Sequence, residues 1–155
     1  MKKLALLALV VMMSSSALAV NWVDIPVSST ENNEKTSVDL DSVQGYYFNS
    51  YNKDKYYVMA WVRREYPTVQ KLRDGRSYQE SKELWYVDCN TKKFKIGDVA
   101  TYTKGGAKLV WSGKEYVSTY SSDGWDRVIP DSVGDGISQN ICLAYQVKNT
   151  ANQTN

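Results

Sequence analysis

At 155 residues the chain is long enough for one ordinary domain with a single core, and its 19 basic against 17 acidic residues leave it nearly neutral, which argues against nucleic acid as a partner. It contains no histidine, so neither a Ser-His-Asp nor a Cys-His nucleophile arrangement can be assembled, and the usual zinc ligands are missing. There is no Gly-rich phosphate loop and no EF-hand spacing, so no catalytic residue, metal ligand or cofactor is expected.

Residues 1–19 read as a secretory signal peptide, with Met1-Lys2-Lys3 as the positive start, an unbroken apolar run over 4–13 and Ala17-Leu18-Ala19 as the cleavage site. That run falls short of the roughly 20 residues needed to span a bilayer, so no membrane anchor is expected. With no cysteine at the cleavage point, lipid attachment is not expected either. The exported chain then consists of one domain over 20–146 and a polar, flexible tail over 147–155.

Residues 20–27 (VNWVDIPV) read as a strand that ends at Pro26 or lies at an edge, because proline cannot donate to a ladder. A polar turn over 28–35 leads to a short alternating segment at 36–43. Residues 44–57 carry five tyrosines and Phe48 around Asn49-Ser50 and Asn52-Lys53-Asp54-Lys55, the pattern of a hairpin tip with aromatic flanks. The strongest strand signal is 57–66 (YVMAWVRREY), nearly continuously apolar to Val62 and hence central, with Arg63 and Arg64 marking its emergence into solvent. A polar, basic loop follows over 67–78, with Lys71, Arg73 and Arg76 around the turn Asp74-Gly75.

Residues 77–89 alternate, placing Trp85, Val87 and Cys89 on one face and Leu84, Tyr86 and Asp88 on the other. Another strand runs through 92–104, interrupted at Gly97-Asp98 and closed by Lys104-Gly105-Gly106, whose glycines permit positive φ. Residues 109–111 and 115–120 supply the last strand, broken at Ser112-Gly113. Beyond a turn at 121–124 the period changes. Val133, Ile137, Ile141 and Tyr145 recur every fourth residue, as on one stripe of a helix, behind a capping box of Ser132 and Asp135. Gly134 and Gly136 each cost about 1 kcal/mol relative to Ala, so this helix needs tertiary support.

The fold class is therefore α+β, a run of strands followed by a C-terminal helix packed on one face. Cys89 and Cys142 are the chain's two cysteines, and in an oxidising exported compartment they are expected to form one disulfide. Closing so long a loop stabilises by about 4 kcal/mol on the chain-entropy account, and ties the helix to the face that carries Cys89.

Charge is unevenly spread: residues 53–114 hold 14 basic and 7 acidic residues between acidic ends. That pattern suits an acidic partner or self-association. The candidate protein-binding residues are Arg63, Arg64, Lys71, Arg73 and Arg76, since a guanidinium fork can pair a carboxylate twice, together with Tyr46, Tyr47 and Tyr51 in the aromatic hairpin. Self-association is expected through an unpaired strand edge, at 44–57 or 20–27.

Several of these segments, in this order, carry a resemblance. They are Val38-Asp39-Leu40-Asp41-Ser42-Val43, Ala60-Trp61-Val62-Arg63, Asp74-Gly75 leading to Ser81, Tyr86-Val87-Asp88-Cys89, Tyr102-Thr103-Lys104-Gly105-Gly106, and Trp125 with Pro130-Asp131-Ser132 ahead of Cys142. Together they resemble the surface-adhesin protein E family of Gram-negative bacteria over nearly all of 20–142. The resemblance implies a six-stranded antiparallel sheet with a C-terminal helix held on its concave face by a disulfide. It also implies a homodimer at the cell surface that binds host vitronectin, laminin and plasminogen. The founding adhesin of the family is lipid-anchored and this chain has no lipidation cysteine, so the alternative is a soluble periplasmic binding or inhibitor protein.

Overall fold

Alternation of β-branched and aromatic residues with polar ones runs through most of the chain and is resolved into strands wherever one face can be covered. The computed structural model describes residues 20–27, 33–49 and 51–153; the expected signal peptide and most of the expected 28–35 turn lie outside the described residues. The strands are β1 (Trp22–Ile25), β2 (Lys35–Asp39), β3 (Gln44–Tyr47), β4 (Tyr56–Lys71), β5 (Ser77–Asp88), β6 (Lys93–Tyr102), β7 (Leu109–Lys114) and β8 (Asp126–Arg127), followed by helix α1 (Val133–Gln153). All pairings are antiparallel. The hydrogen-bonded path β1-β2-β4-β5-β6-β7 has six strands; β3 adds to β4 and β8 to β6, making eight among the described residues.

β2 and β3 lie end to end along one side of β4, separated by a 3-10 turn at Leu40–Ser42. Ser42 closes the gap they leave: its Oγ donates to Asp39 O at 2.7 Å and accepts from Trp61 N at 2.8 Å, in place of a ladder partner.

Four features of these elements differ from the sequence reading. β4 does not stop near Tyr66 but continues to Lys71, and the expected 67–78 loop shrinks to a tight turn in which Leu72 N donates to Arg76 O at 2.8 Å. Pro67 is tolerated because the β4–β5 register shifts between Glu65 and Gln70, so no ladder partner awaits its missing N–H. The interruption at Gly97-Asp98 is also a bulge, which β6 passes without ending, since Trp85 pairs with Ile96 and Glu83 with Val99. β7 keeps Ser112 and Gly113 and ends at Lys114. Gly113 lies so close to the Trp111 indole that a Cβ there would sit 2.4 Å from the ring. Glu115 N then donates to Gly97 O at 3.0 Å, and the chain over 115–120 leaves the sheet edge, with Val117 packing beside Gly97. At the far end α1 runs on to Gln153, through most of the expected polar tail.

The helix side of the sheet carries the main core: Val38, Val58, Val62, Trp85 and Val87 meet Ile137 and Ile141 of α1. Cys89 is bonded to Cys142 with Cα atoms 5.9 Å apart, so the alternation that put Cys89 with Trp85 and Val87 also locates the helix. Asp135 N donates to Ser132 Oγ at 3.2 Å, as the capping box requires, while the Asp135 carboxylate accepts from Asp131 N at 3.1 Å. Gly136 has a packing reason for its helix cost, because a Cβ there would come within 3.1 Å of Val27 just past β1. On the opposite face a smaller cluster of Phe48, Tyr57 and Trp125 packs with Met59, Tyr86 and Val117. Among the described residues no helix is long and apolar enough to cross a membrane.

Candidate interaction surfaces

The antiparallel order brings the start of β2, the β4–β5 turn and the β6–β7 turn to one end of the sheet. Arg63 and Arg64 lie below that end and, as strand neighbours, face opposite sides. Arg63 stacks over the Trp22 ring at 5.0 Å, donates to Ser37 Oγ at 3.3 Å and pairs with Glu65 at 3.2 Å. Arg64 sits on the helix side, bonded to Glu34 at 2.5 Å and 3.9 Å from Glu83. The Glu83 carboxylate is itself fixed by Ser81 Oγ at 2.8 Å and Trp85 Nε1 at 3.0 Å. Burial disfavours the charge on Arg64, but the hydrogen bond to Glu34 and the nearby Tyr66, Glu83 and Glu34 outweigh it and hold the guanidinium above its usual range. Neither arginine emerges freely into solvent as the sequence suggested, because β4 does not end there.

Lys71 and Arg73, beyond them, are exposed and have no ion-pair partner among the described residues. Arg76 is clamped by Asp74, with contacts of 2.9 and 2.7 Å, and also donates to Val110 O. That arginine holds the exposed Asp74 carboxyl below its usual range. Lys104 and Lys108 in the β6–β7 turn are exposed cations at the same end, which sequence reading did not single out. Only the register of the sheet shows that residues about 30 apart share one rim.

Tyr66 shares the Arg64 network, 3.4 Å from Ser81 Oγ, and its hydroxyl is pushed up to about 12 by burial, against the opposing pull of Arg64 and of the Ser81 hydrogen bond. A tyrosine pKa raised in the folded state gives stability that is fully present below pH 10 and lost as pH rises to about 12. Alkaline titration of unfolding free energy should therefore fall by of order 2 kcal/mol more in the wild type than in Tyr66→Phe across that window. Burial also raises Tyr56, Tyr57 and Tyr86, so the variant should show a smaller alkaline loss rather than none. Identical alkaline losses in the two proteins would remove Tyr66 from the account.

At the other end, Tyr46 stacks on Tyr57 with centroids 5.6 Å apart and donates to Gln44 Oε1 at 2.6 Å, whereas Tyr47 and Tyr51 are 53% and 98% exposed. Tyr116 and Tyr120, which the sequence placed in a strand, lie instead in the 115–124 loop and are 82% and 80% exposed. Their β-forming character hid them, since propensity does not distinguish a strand from a loop held by other contacts.

On the helix side, α1 leaves part of β6 and β7 uncovered. A groove of about 600 Å³ between its first turn and β6 is lined by Arg64, Trp85, Phe94, Ile96, Ile129 and Val133. It shares Phe94 and Ile96 with a hollow of about 560 Å³ below Trp111. Trp85 and Phe94 stack with centroids 4.8 Å apart on its floor.

The family model described as Surface-adhesin protein E matches residues 22–143, from the first residue of β1 into the middle of α1. No curated protein and no solved structure matches the chain.

Proposed function

The chain belongs to the surface-adhesin protein E family, and on that premise we propose that it is an exported, non-enzymatic binding module that attaches to host extracellular proteins, with vitronectin, laminin and plasminogen as its partners. The observation that supports this reading within the chain is the basic rim: Lys71, Arg73, Lys104 and Lys108 project from one end without ion-pair partners among the described residues. Cations held in that way steer an acidic protein surface into encounter, and raise the association rate more than they lengthen the complex.

Surface plasmon resonance with each of the three host proteins tests the proposal. Lys71→Glu with Arg73→Glu should slow association about tenfold at low salt, and much less at high salt, where the steering is screened. Arg63 and Arg64 are unsuitable for this purpose because their reversal would break the Trp22, Glu34 and Glu65 contacts. A wild type that binds none of the three would favour the periplasmic alternative. The homodimer belongs to the same proposal: among the described residues β1 pairs only with β2, and exposed Val20, Val23, Leu143 and Val147 lie beside its open edge. Light scattering on the same samples should give twice the mass of one chain.

A further inference from the structure

We infer that the end of the sheet opposite the basic rim is a second docking surface, made of loop residues 48–49 and 51–55 and of the loop 115–124, and suited to a neutral protein surface. Both loops rest on one buried aromatic plug, in which Phe48 and Trp125 stand 5.5 Å apart and Tyr57 meets Trp125 edge-on at 5.8 Å. The second loop has no strand pairing, yet its backbone is fixed: Trp125 Nε1 donates to Ser118 O at 3.1 Å, and Lys93 Nζ to Ser122 O at 3.1 Å. Ser122 Oγ in turn donates to the buried Asp88 carboxylate at 2.6 Å. The first loop is fixed in the same manner, with Asn49 Oδ1 accepting from Asn52 N at 2.8 Å and Asn90 Nδ2 donating to Asp54 O at 2.9 Å.

On these fixed backbones Tyr51, Tyr116 and Tyr120 are 98%, 82% and 80% exposed, whereas Tyr47 ends β3 on the helix side, paired with Tyr56, and is not part of this surface. Tyrosine offers a large amphipathic contact area for little rotamer entropy, and a loop already held in place has less ordering left to lose on binding. The charges between the tyrosines nearly cancel, with Lys53 and Lys55 against Asp54, Glu115 and Asp123, so an electrostatically neutral partner fits best. A sugar would need side-chain amides and carboxylates free to meet its hydroxyls. Here the amide oxygens of Asn49 and Asn52 accept from their own loop's backbone, Asp88 holds Ser122, Glu115 pairs with Lys95 at 3.7 Å and Asp123 accepts from Ser121 Oγ at 3.1 Å.

This assignment rests on the binding-module reading for the class of partner, and the test keeps the two apart. The triple variant Tyr51→Ser, Tyr116→Ser, Tyr120→Ser is compared with Lys71→Glu/Arg73→Glu and the wild type. The probes are immobilised vitronectin, laminin and plasminogen, each also after deglycosylation, at low and high salt. The tyrosine variant should lose at least about tenfold in affinity at both salts through faster dissociation, while the charge variant keeps its high-salt affinity. Wild-type affinity in the tyrosine variant overturns the inference and leaves the binding-module reading standing. Loss of wild-type binding on deglycosylation overturns it in favour of a sugar ligand. Absence of binding by the wild type overturns both. Independently of any probe, the tyrosine variant should melt with the wild type and its 118–125 amides should stay protected from hydrogen exchange; early melting would make the tyrosines structural and overturn the inference.

Discussion

Changing Cys89 and Cys142 together to Ser should lower the free energy of unfolding by about 4 kcal/mol and let α1 come away before the sheet melts. The bridge closes a separation of 53 residues, and its loss restores that loop's freedom to the unfolded chain. The helix is the element left exposed to the loss. Gly134 and Gly136 weaken it by about 1 kcal/mol each, and Gly136 cannot be improved because of Val27. What remains to hold it is the burial of Ile137 and Ile141 against Val58, Val62 and Val87, with Lys148 Nζ reaching Leu40 O and Val43 O at 3.0 and 3.1 Å. The sheet has other support: its ladders and the Phe48, Tyr57 and Trp125 cluster on the far face do not involve α1. Denaturant titration followed by far-ultraviolet circular dichroism for the helix and near-ultraviolet signal for the tryptophans should separate into two midpoints in the variant. A single shared midpoint, or a loss below 1 kcal/mol, would show that packing alone secures the helix.

The helix side of this fold was legible because burial there obeys fixed periods. Period two put Cys89 with Trp85 and Val87, and period four put Ile137 and Ile141 on one stripe, so one disulfide joins two faces that were each readable alone. Irregularities were misread for the opposite reason. Pro67 and Gly97-Asp98 look like strand breakers, but each falls where the register slips, and a slip depends on the partner strand. Arg63 and Arg64 looked like free cations because Glu34, 30 positions from Arg64, and Trp22, beside Arg63, are brought to them only by β1 and β2. Of the proposed contact residues, Lys71, Arg73, Arg76, Tyr46, Tyr47 and Tyr51 are exposed, and Tyr116 and Tyr120 went unnoticed because the loop that carries them is fastened by Trp125 and Asp88 rather than by any local signal.

Trp125→Ala should cost about 3–5 kcal/mol, comparable to losing the disulfide, although Trp125 lies on the face away from the helix. Its indole is 6% exposed and meets Phe48, Tyr57 and Tyr86 with centroids 5.5, 5.8 and 6.2 Å away, so truncation leaves a cavity that three rings cannot all collapse into. It also leaves Ser118 O without its Nε1 donor. Trp125→Phe separates the two contributions, since it keeps most of the packing and removes the hydrogen bond, and should cost only about 1–2 kcal/mol. The damage should be local in the native state. Amides over 115–124 should lose protection, while those of β4 and β5 beneath α1 keep theirs, because the main core and the Cys89–Cys142 bridge are on the other side of the sheet. If the alanine variant instead loses protection evenly over both faces, the two clusters act as one cooperative core, and the rigid mounting of the tyrosine loops on a separate plug is refuted.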